Sequence, residues 1–162
     1  MNTDVAVYTA FLSVAAGICV LLVAAPYLTY SGHIFLGGYV YNSFSGLCHQ
    51  LPERSFHLFG NKLAVCARDT GVYFGLLFST LAYPLVRKLG DRSIPPRCWF
   101  IACILPLAVD GTTQLLGLRE SNNTLRVATG LLFGMIIPFY LIPMFSEIAD
   151  VFMGEFSKLR GG

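Results

Sequence analysis

VAVYTAFLSVAAGICVLLVAAPYL, at residues 5–28, is a long apolar run without one charged side chain. A helix of about 20 apolar residues spans the hydrocarbon core of a bilayer. The run has no basic segment before it and is too long for the apolar part of a signal peptide, so we expect it to stay in the protein. It therefore predicts a membrane-spanning helix near the start of the chain.

The composition of the whole chain also points to lipid as its solvent. Of the 162 residues, 55% are hydrophobic and only 12% are charged, and the mean hydropathy is +0.64. Soluble domains carry about 25% charged residues, so this chain has too little polar surface to cover a water-soluble globule. The net charge of +2 gives no reason to expect binding to nucleic acid.

Three further segments have the length and hydropathy of membrane spans: about residues 64–86, 98–116 and 125–145. Arg68 and Asp69 lie in the first turns of the earliest of these, and Pro138 and Pro143 are expected to bend the last. Because no repeat or linker divides the chain, residues 1–162 are expected to form a single domain. The sequence thus predicts an all-α integral membrane protein, a four-transmembrane-helix bundle.

The connection between the first two spans has a feature of its own. Residues 31–63 are too polar to span a membrane, but the part at residues 34–41 is largely apolar. We expect this part to be an interfacial or re-entrant segment between helices 1 and 2. Beyond residue 146, apolar side chains at helical spacing predict a short amphipathic tail.

The remaining connections are short, which predicts that successive helices pack as antiparallel neighbours. Two pairs of small residues, Gly71 with Gly75 and Gly130 with Gly134, predict close approach between helices. An even number of spans places both termini on one side, with basic residues nearly balanced between the two sides. When the arginines near polar motifs are left out, the positive-inside rule predicts a multi-pass protein of the cell membrane with cytoplasmic termini.

The polar motifs of the chain are predicted to meet at one membrane face. The connection before the second span contains CHQLPERSFH at residues 48–57, and the span itself opens within CARDTG at residues 66–71. The third span ends in DGTTQ at residues 110–114, followed by Arg119 and Arg126. In a four-span topology these two regions lie on the same side, whichever way the protein is inserted.

Cys48, His49, Cys66 and Asp69 are candidate metal ligands. The adjacent Cys-His pair and the C-x-x-D spacing offer thiolate, imidazole and carboxylate groups that can surround one zinc ion. Glu53 is a candidate general base for a metal-bound water. Two alternatives stay open, a Cys48–Cys66 disulfide if this face is oxidising and a pair of free thiols. The other cysteines lie in apolar runs, where a thiol behaves as a small hydrophobe.

A second set of side chains is suited to binding an anionic substrate: Arg54, Arg68, Gln114, Arg119 and Arg126. Guanidinium groups match phosphate and carboxylate, and the N-termini of the second and fourth spans direct positive dipole ends to the same face. Alternatively, the arginines pair with neighbouring carboxylates or anchor to lipid headgroups. Asp110 lies within the third span, where an ionised carboxylate costs roughly 3 kcal/mol. It is therefore a candidate catalytic residue or the ion-pair partner of Arg68 or Arg126.

These motifs resemble a family of small integral membrane proteins, domain of unknown function 2085. The resemblance rests on the runs quoted above and on LRESNNTLR at residues 118–126 with Thr129 and Gly130, and it covers about residues 46–134. It implies the same membrane fold and polar site. In that family the position of Asp69 is often cysteine, which favours zinc; here a carboxylate completes the site or the site is lost. The resemblance implies no particular reaction.

Three functions fit these residues. The one we favour is a membrane-embedded enzyme acting on the head group of an anionic lipid or isoprenoid, with zinc as cofactor and with Glu53 or Asp110 handling protons. The second is non-enzymatic, a transporter component or an accessory subunit of a larger membrane complex, in which Asp110 and Gln114 line a path or meet a partner helix. Because four helices are few for a lone transporter, this alternative favours a homo-oligomer or the accessory role. The third is a thiol–quinone redox protein, which the absence of a C-x-x-C pair disfavours.

Overall fold

The computed structural model describes residues 3–160 of the chain, with side chains described for residues 3–154. This part is mostly helical, with the helices α1 (Thr3–Tyr30), α2 (Ile34–Ser45), α3 (Ala67–Val86), α4 (Arg97–Leu115), α5 (Asn123–Ile136) and α6 (Pro138–Arg160). Between α2 and α3 lie a 3₁₀ turn at Pro52–Arg54 and an antiparallel hairpin of two short strands, β1 (His57–Leu58) and β2 (Asn61–Lys62).

Three helical segments of the described part are long and apolar enough to cross a membrane: α1, α4, and the stretch Asn123–Gly154 formed by α5 and most of α6. They correspond to three of the four predicted spans. The segment predicted at residues 64–86 is helical from Ala67 onward. Its mean hydropathy is lower because Arg68 and Asp69 open it and small or polar residues follow. A fourth span therefore stays a prediction.

Proline determines where the last helical stretch is interrupted. α5 ends at Ile136 and α6 begins at Pro138, because proline has no backbone N–H to donate to the preceding turn. Pro143, in contrast, lies inside α6. The helix continues beyond Ser146, so the predicted amphipathic tail is the distal part of α6 and forms no separate element.

α3 and α5 are the most closely packed pair of helices. A Cβ placed on Gly134 would lie 2.9 Å from the carbonyl carbon of Val72, and one placed on Gly75 would lie 2.5 Å from the carbonyl oxygen of Leu131. The two backbones are therefore in direct contact, as small residues at helix interfaces permit. Gly71 opposes Val127 and Leu131, so the facing residue numbers rise together and the two helices run parallel.

This pairing corrects the expectation that successive helices are neighbours throughout. Among the described residues, α4 packs against α5, and α3 and α4 do not form one of the closely packed pairs. The reason is geometric. The glycines of α3 and α5 allow backbone contact, whereas the outer surface of α4 carries exposed large side chains such as Trp99, Leu105 and Val109.

Ion pairs and one hydrogen bond show which helix ends lie together at the end of the bundle opposite the polar motifs. Arg92, in the connection between α3 and α4, contacts Asp4 at 2.6 Å and Asp150 at 2.5 Å. The Tyr140 hydroxyl donates a hydrogen bond to the Pro96 carbonyl at 2.9 Å. The beginning of α1, the α3–α4 connection and the middle of α6 are thus at one end. The polar motifs are at the other.

Candidate functional site

A buried cluster beside α2 supports the loop that carries Cys48. Leu22 and Ala25 of α1 pack with Phe44 of α2 and with Ala64 and Val65 just before α3. Cys48 itself is buried against this cluster. The loop is therefore anchored to the membrane helices and the position of its cysteine is defined by packing.

Three hydrogen bonds close a ring around the backbone that follows Cys48. The Tyr41 hydroxyl donates to the Lys62 carbonyl, the Lys62 ammonium donates to the Gln50 carbonyl at 2.5 Å, and the Gln50 amide donates to the Tyr41 carbonyl at 2.6 Å. Gln50 has a φ of 51°, in the left-handed region that most residues avoid. This ring holds the Cys48 loop against the segment that leads to Cys66.

Three of the four predicted metal ligands come together at the start of α3. The sulfur atoms of Cys48 and Cys66 and a carboxylate oxygen of Asp69 all lie within 4.8 Å of one another. Around a tetrahedral zinc ion such atoms lie roughly 3.3–3.8 Å apart, so small movements would close them on an ion. His49 is exposed and lies outside this group, although it lines the same cavity. The donor set, two thiols and a carboxylate, is thus of the kind that a borderline-soft cation such as zinc takes.

The two thiols differ in acidity because they share one hydrogen-bond network. The Cys66 backbone N–H donates to the Cys48 sulfur at 3.2 Å. The hydrogen bond between the two thiols, and after it the backbone N–H groups, lower the pKa of Cys48. The same thiol–thiol bond and burial raise the pKa of Cys66, whose thiol also donates to the Asp69 carboxylate at 3.2 Å. Cys48 is therefore the more acidic of the two thiols.

Asp110 is buried, with 1% of its side chain exposed, and both of its oxygens are engaged. Arg68 contacts one oxygen at 2.5 Å and Arg119 contacts the other at 2.7 Å. Arg68 also donates to Gln114 at 3.3 Å, and Arg119 donates to the Thr113 hydroxyl at 3.1 Å. The predicted ion-pair partner Arg68 is thus present, joined by Arg119.

Arg126 and Arg54 are bonded differently from those two arginines. Arg126 is 6% exposed, and its Nη1 donates to the Asn123 side chain at 2.8 Å. Among the described residues its buried Nε has no hydrogen-bond partner, a feature that it shares with the Nε of Arg68. Within residues 3–154, neither Arg126 nor Arg54 has a carboxylate within 4 Å.

One cavity of about 410 Å³ connects these groups. Its lining includes the three clustered ligands, together with His49, Arg54, Arg68, Gln114 and Arg126. Leu47, Leu51 and Leu115 contribute its apolar lining and are exposed. Glu53 lies on the exposed 3₁₀ turn beside a neighbouring cavity, which Arg54, Arg119 and Arg126 also line. The candidate metal ligands and the candidate anion-binding residues therefore share one end of the bundle.

Comparison with known proteins identifies the family. The family described as "Predicted membrane protein (DUF2085)" matches residues 48–140, more than half of the chain. The chain belongs to this family. The match begins at Cys48 and includes every candidate site residue, so the membrane location of the family agrees with the apolar helices described above.

Archaeal relatives support the same assignment. An uncharacterized protein of Methanocaldococcus jannaschii is 46% identical over 129 residues, which cover 76% of this chain and 83% of the relative. An uncharacterized protein of Methanothermobacter thermautotrophicus is 38% identical over 93 residues, which cover 57% of this chain and 81% of the relative. No solved structure matches the chain.

Some residues that shape the site carried no signal in the sequence. Gln50, Tyr41 and Lys62 are ordinary polar residues, and only the ring of hydrogen bonds shows that they fix the Cys48 loop. The sequence does not predict that Asn123 contacts Arg126. The three leucines that line the cavity are indistinguishable in the sequence from residues that face lipid.

Proposed function

We propose that the chain crosses the membrane four times, with α3 as the additional span. Its 20 residues at 1.5 Å each give about 30 Å, the thickness of the hydrocarbon core. Its contact with α5 and the position of the α3–α4 connection beside Asp4 support a helix that extends from one membrane face to the other. The charged residues at its start then lie at the polar end of the bundle.

In this arrangement α2 is the interfacial or re-entrant segment. Its exposed Phe35 and Tyr39 are suited to the boundary between lipid and headgroups. Arg87, Lys88 and Arg92 are concentrated in the short α3–α4 connection, whereas Arg68 and Arg119 are held by Asp110. The positive-inside rule then supports cytoplasmic termini and an extracytoplasmic site.

The function that the site supports best is that of a membrane-embedded metalloenzyme acting on an anionic lipid or isoprenoid head group. Cys48, Cys66 and Asp69, which line the cavity, would hold zinc. A bound zinc ion polarises a substrate oxygen or lowers the pKa of a bound water. The observation that carries this proposal is that one cavity is lined by both the ligand group and the arginines.

The residues of the chain have distinct tasks in this proposal. The arginines bind and orient the anionic group, and the leucines at the cavity accommodate the apolar part of the substrate. Glu53 is the carboxylate available for proton transfer, because it is exposed beside the cavity. Asp110, whose two oxygens are occupied, acts as a positioning residue for Arg68 and Arg119.

Metal analysis of the purified protein tests this proposal. We expect about one zinc per chain, lost in Cys48→Ser and in Asp69→Ala. Cys98→Ser is the matched control, because Cys98 is exposed at the far end of the bundle, and it should keep the metal. Wild-type protein purified without chelators and free of zinc would overturn the metalloenzyme.

The nearness of the two sulfur atoms also supports a second candidate, the thiol redox protein. If the site faces an oxidising compartment, Cys48 and Cys66 are placed to form a disulfide. Mass spectrometry of unreduced peptides distinguishes the two candidates. A peptide pair linked through Cys48 and Cys66, in protein that contains no zinc, would favour the redox protein.

A further inference from the structure

The four arginines of the site fall into two classes according to their partners. Arg68 and Arg119 both contact Asp110, so their charges are partly compensated inside the protein. Arg54 and Arg126 have no carboxylate within 4 Å among the described residues. An anion bound in this cavity is therefore best matched by the second class.

We propose that Arg54 and Arg126 form the binding subsite for a phosphate monoester, the terminal phosphate of a lipid that carries two negative charges. The inference rests on the proposed function, because it names the head group that the same cavity would take. The inference goes beyond the proposed function because it selects two of the four arginines and excludes head groups with a single negative charge.

Arg126 is the stronger part of the argument. Arg126 is more than nine-tenths buried, yet among the described residues its Nε has no partner and its side chain hydrogen-bonds only to the neutral Asn123. A buried charge without a counter-charge is unfavourable. A bound anion supplies the missing charge and hydrogen bonds. Because Arg126 lines two adjoining cavities, an anion can reach it.

Arg54 supplies the second charge in the same cavity. It ends the 3₁₀ turn and is exposed, and it lines the same two cavities as Arg126. Asp69, Glu53 and Glu120 also line these cavities, but among the described residues no carboxylate lies within 4 Å of Arg54 or Arg126. Two such guanidinium groups in one cavity match a dianion. A phosphate monoester carries about −1.5 to −2 charges at neutral pH, whereas a phosphodiester carries only one.

The surroundings favour a lipid as the source of this phosphate. Leu47 and Leu115, which line the cavity, are 74% and 85% exposed. A ligand with its phosphate at Arg126 can therefore extend an apolar chain past these leucines into the bilayer. The clustered ligands Cys48, Cys66 and Asp69 line the same cavity, so the phosphate and the candidate metal ligands would share it.

Native mass spectrometry of the full chain in detergent tests the proposal. The probes are phosphatidate, which is a monoester, and phosphatidylglycerol with the same acyl chains, which is a diester. We expect phosphatidate to bind at least tenfold more tightly. Arg126→Gln and Arg54→Gln should each lower phosphatidate binding about tenfold, and Arg97→Gln, at the far end of the bundle, should leave it unchanged.

Several outcomes would overturn the proposal. Equal binding of the two lipids would exclude the dianion, and unchanged binding in Arg54→Gln would exclude the subsite. This exposed position gives a test even if Arg126→Gln does not fold. Displacement of phosphatidate by inorganic phosphate at equal concentration would assign the site to a soluble phosphate and refute the lipid source.

The zinc content of the same samples separates this proposal from the metalloenzyme. We expect Arg54→Gln to keep its zinc while its phosphatidate binding falls about tenfold, because Arg54 is not among the clustered metal ligands, and we expect Cys48→Ser to lose the zinc. Zinc without selective phosphatidate binding would overturn the phosphate subsite alone. Selective binding in protein that never contains zinc would overturn the metalloenzyme alone.

Discussion

Substituting Gly134 by alanine tests whether the contact between α3 and α5 holds the bundle together. The new Cβ would lie 2.9 Å from the carbonyl carbon of Val72 and closer still to its oxygen. Favourable contacts between such atoms require about 3.5–4.0 Å. The two helices would therefore have to separate by roughly 1 Å along an interface where neither backbone can move aside locally.

The size of the effect follows from two opposing contributions. Overpacking a well-packed interface costs about 1–3 kcal/mol, and separation also weakens the Cα–H···O contacts between the backbones, each worth about 0.5–1 kcal/mol. Alanine favours the helical state by about 1 kcal/mol over glycine. We therefore expect Gly134→Ala to lower the free energy of unfolding by about 2 kcal/mol.

A matched substitution in α1 should have the opposite sign. No described residue lies within 4 Å of a Cβ placed on Gly17, so Gly17→Ala keeps the gain in helix propensity without a clash. Equilibrium unfolding in mixed dodecylmaltoside and dodecyl sulfate micelles measures both variants against the wild type. If Gly134→Ala were as stable as the wild type while Gly17→Ala behaved as expected, backbone contact between α3 and α5 would be refuted.

Three further predictions use the same unfolding measurement. Asp110→Asn should lower the free energy of unfolding by about 2 kcal/mol, because it leaves two partly exposed arginines without their shared carboxylate. An unchanged free energy of unfolding would show that these ion pairs do not stabilise the fold. Arg92→Ala should cost about 0.5–1 kcal/mol at low salt and less at high salt, and a cost independent of salt would contradict an electrostatic link to its two aspartates. Gln50→Gly should be about 1 kcal/mol more stable than Gln50→Ala, because only glycine adopts the positive φ without strain. Equal stability of these two variants would argue against that backbone conformation.

Hydropathy predicts the three spans α1, α4 and α5–α6 because an apolar stretch of sufficient length is stable as a helix in lipid. Both the length and the apolar character of such a stretch can be read directly from the sequence. α3 was also placed nearly correctly as a helix. Its partner was harder to predict, because short connections favour α4, whereas backbone contact through Gly71 and Gly130 favours α5. Helix pairing depends on which surfaces match in three dimensions, and a linear sequence does not contain that comparison.

For the candidate site, too, the residue types could be predicted from the sequence and their arrangement could not. The residue types predicted a cation site and an anion site near one face, because thiol, carboxylate and guanidinium chemistry belongs to each side chain alone. The arrangement then grouped Cys66 with Asp69 and left His49 outside the ligand group. It also divided the arginines between those held by Asp110 and those without a carboxylate, a distinction that no sequence motif expresses.

Composition and residue types are enough to identify a helical membrane protein and the residues that could carry chemistry, since burial in lipid and side-chain chemistry depend on them. Which helices touch, which ligands converge and which arginines have no neighbouring carboxylate follow from the folded arrangement. These outcomes depend on distances between residues far apart in the chain. Arg126 is the clearest case: it is 6% exposed, it lines one cavity with Cys48, and among the described residues no carboxylate lies within 4 Å of it.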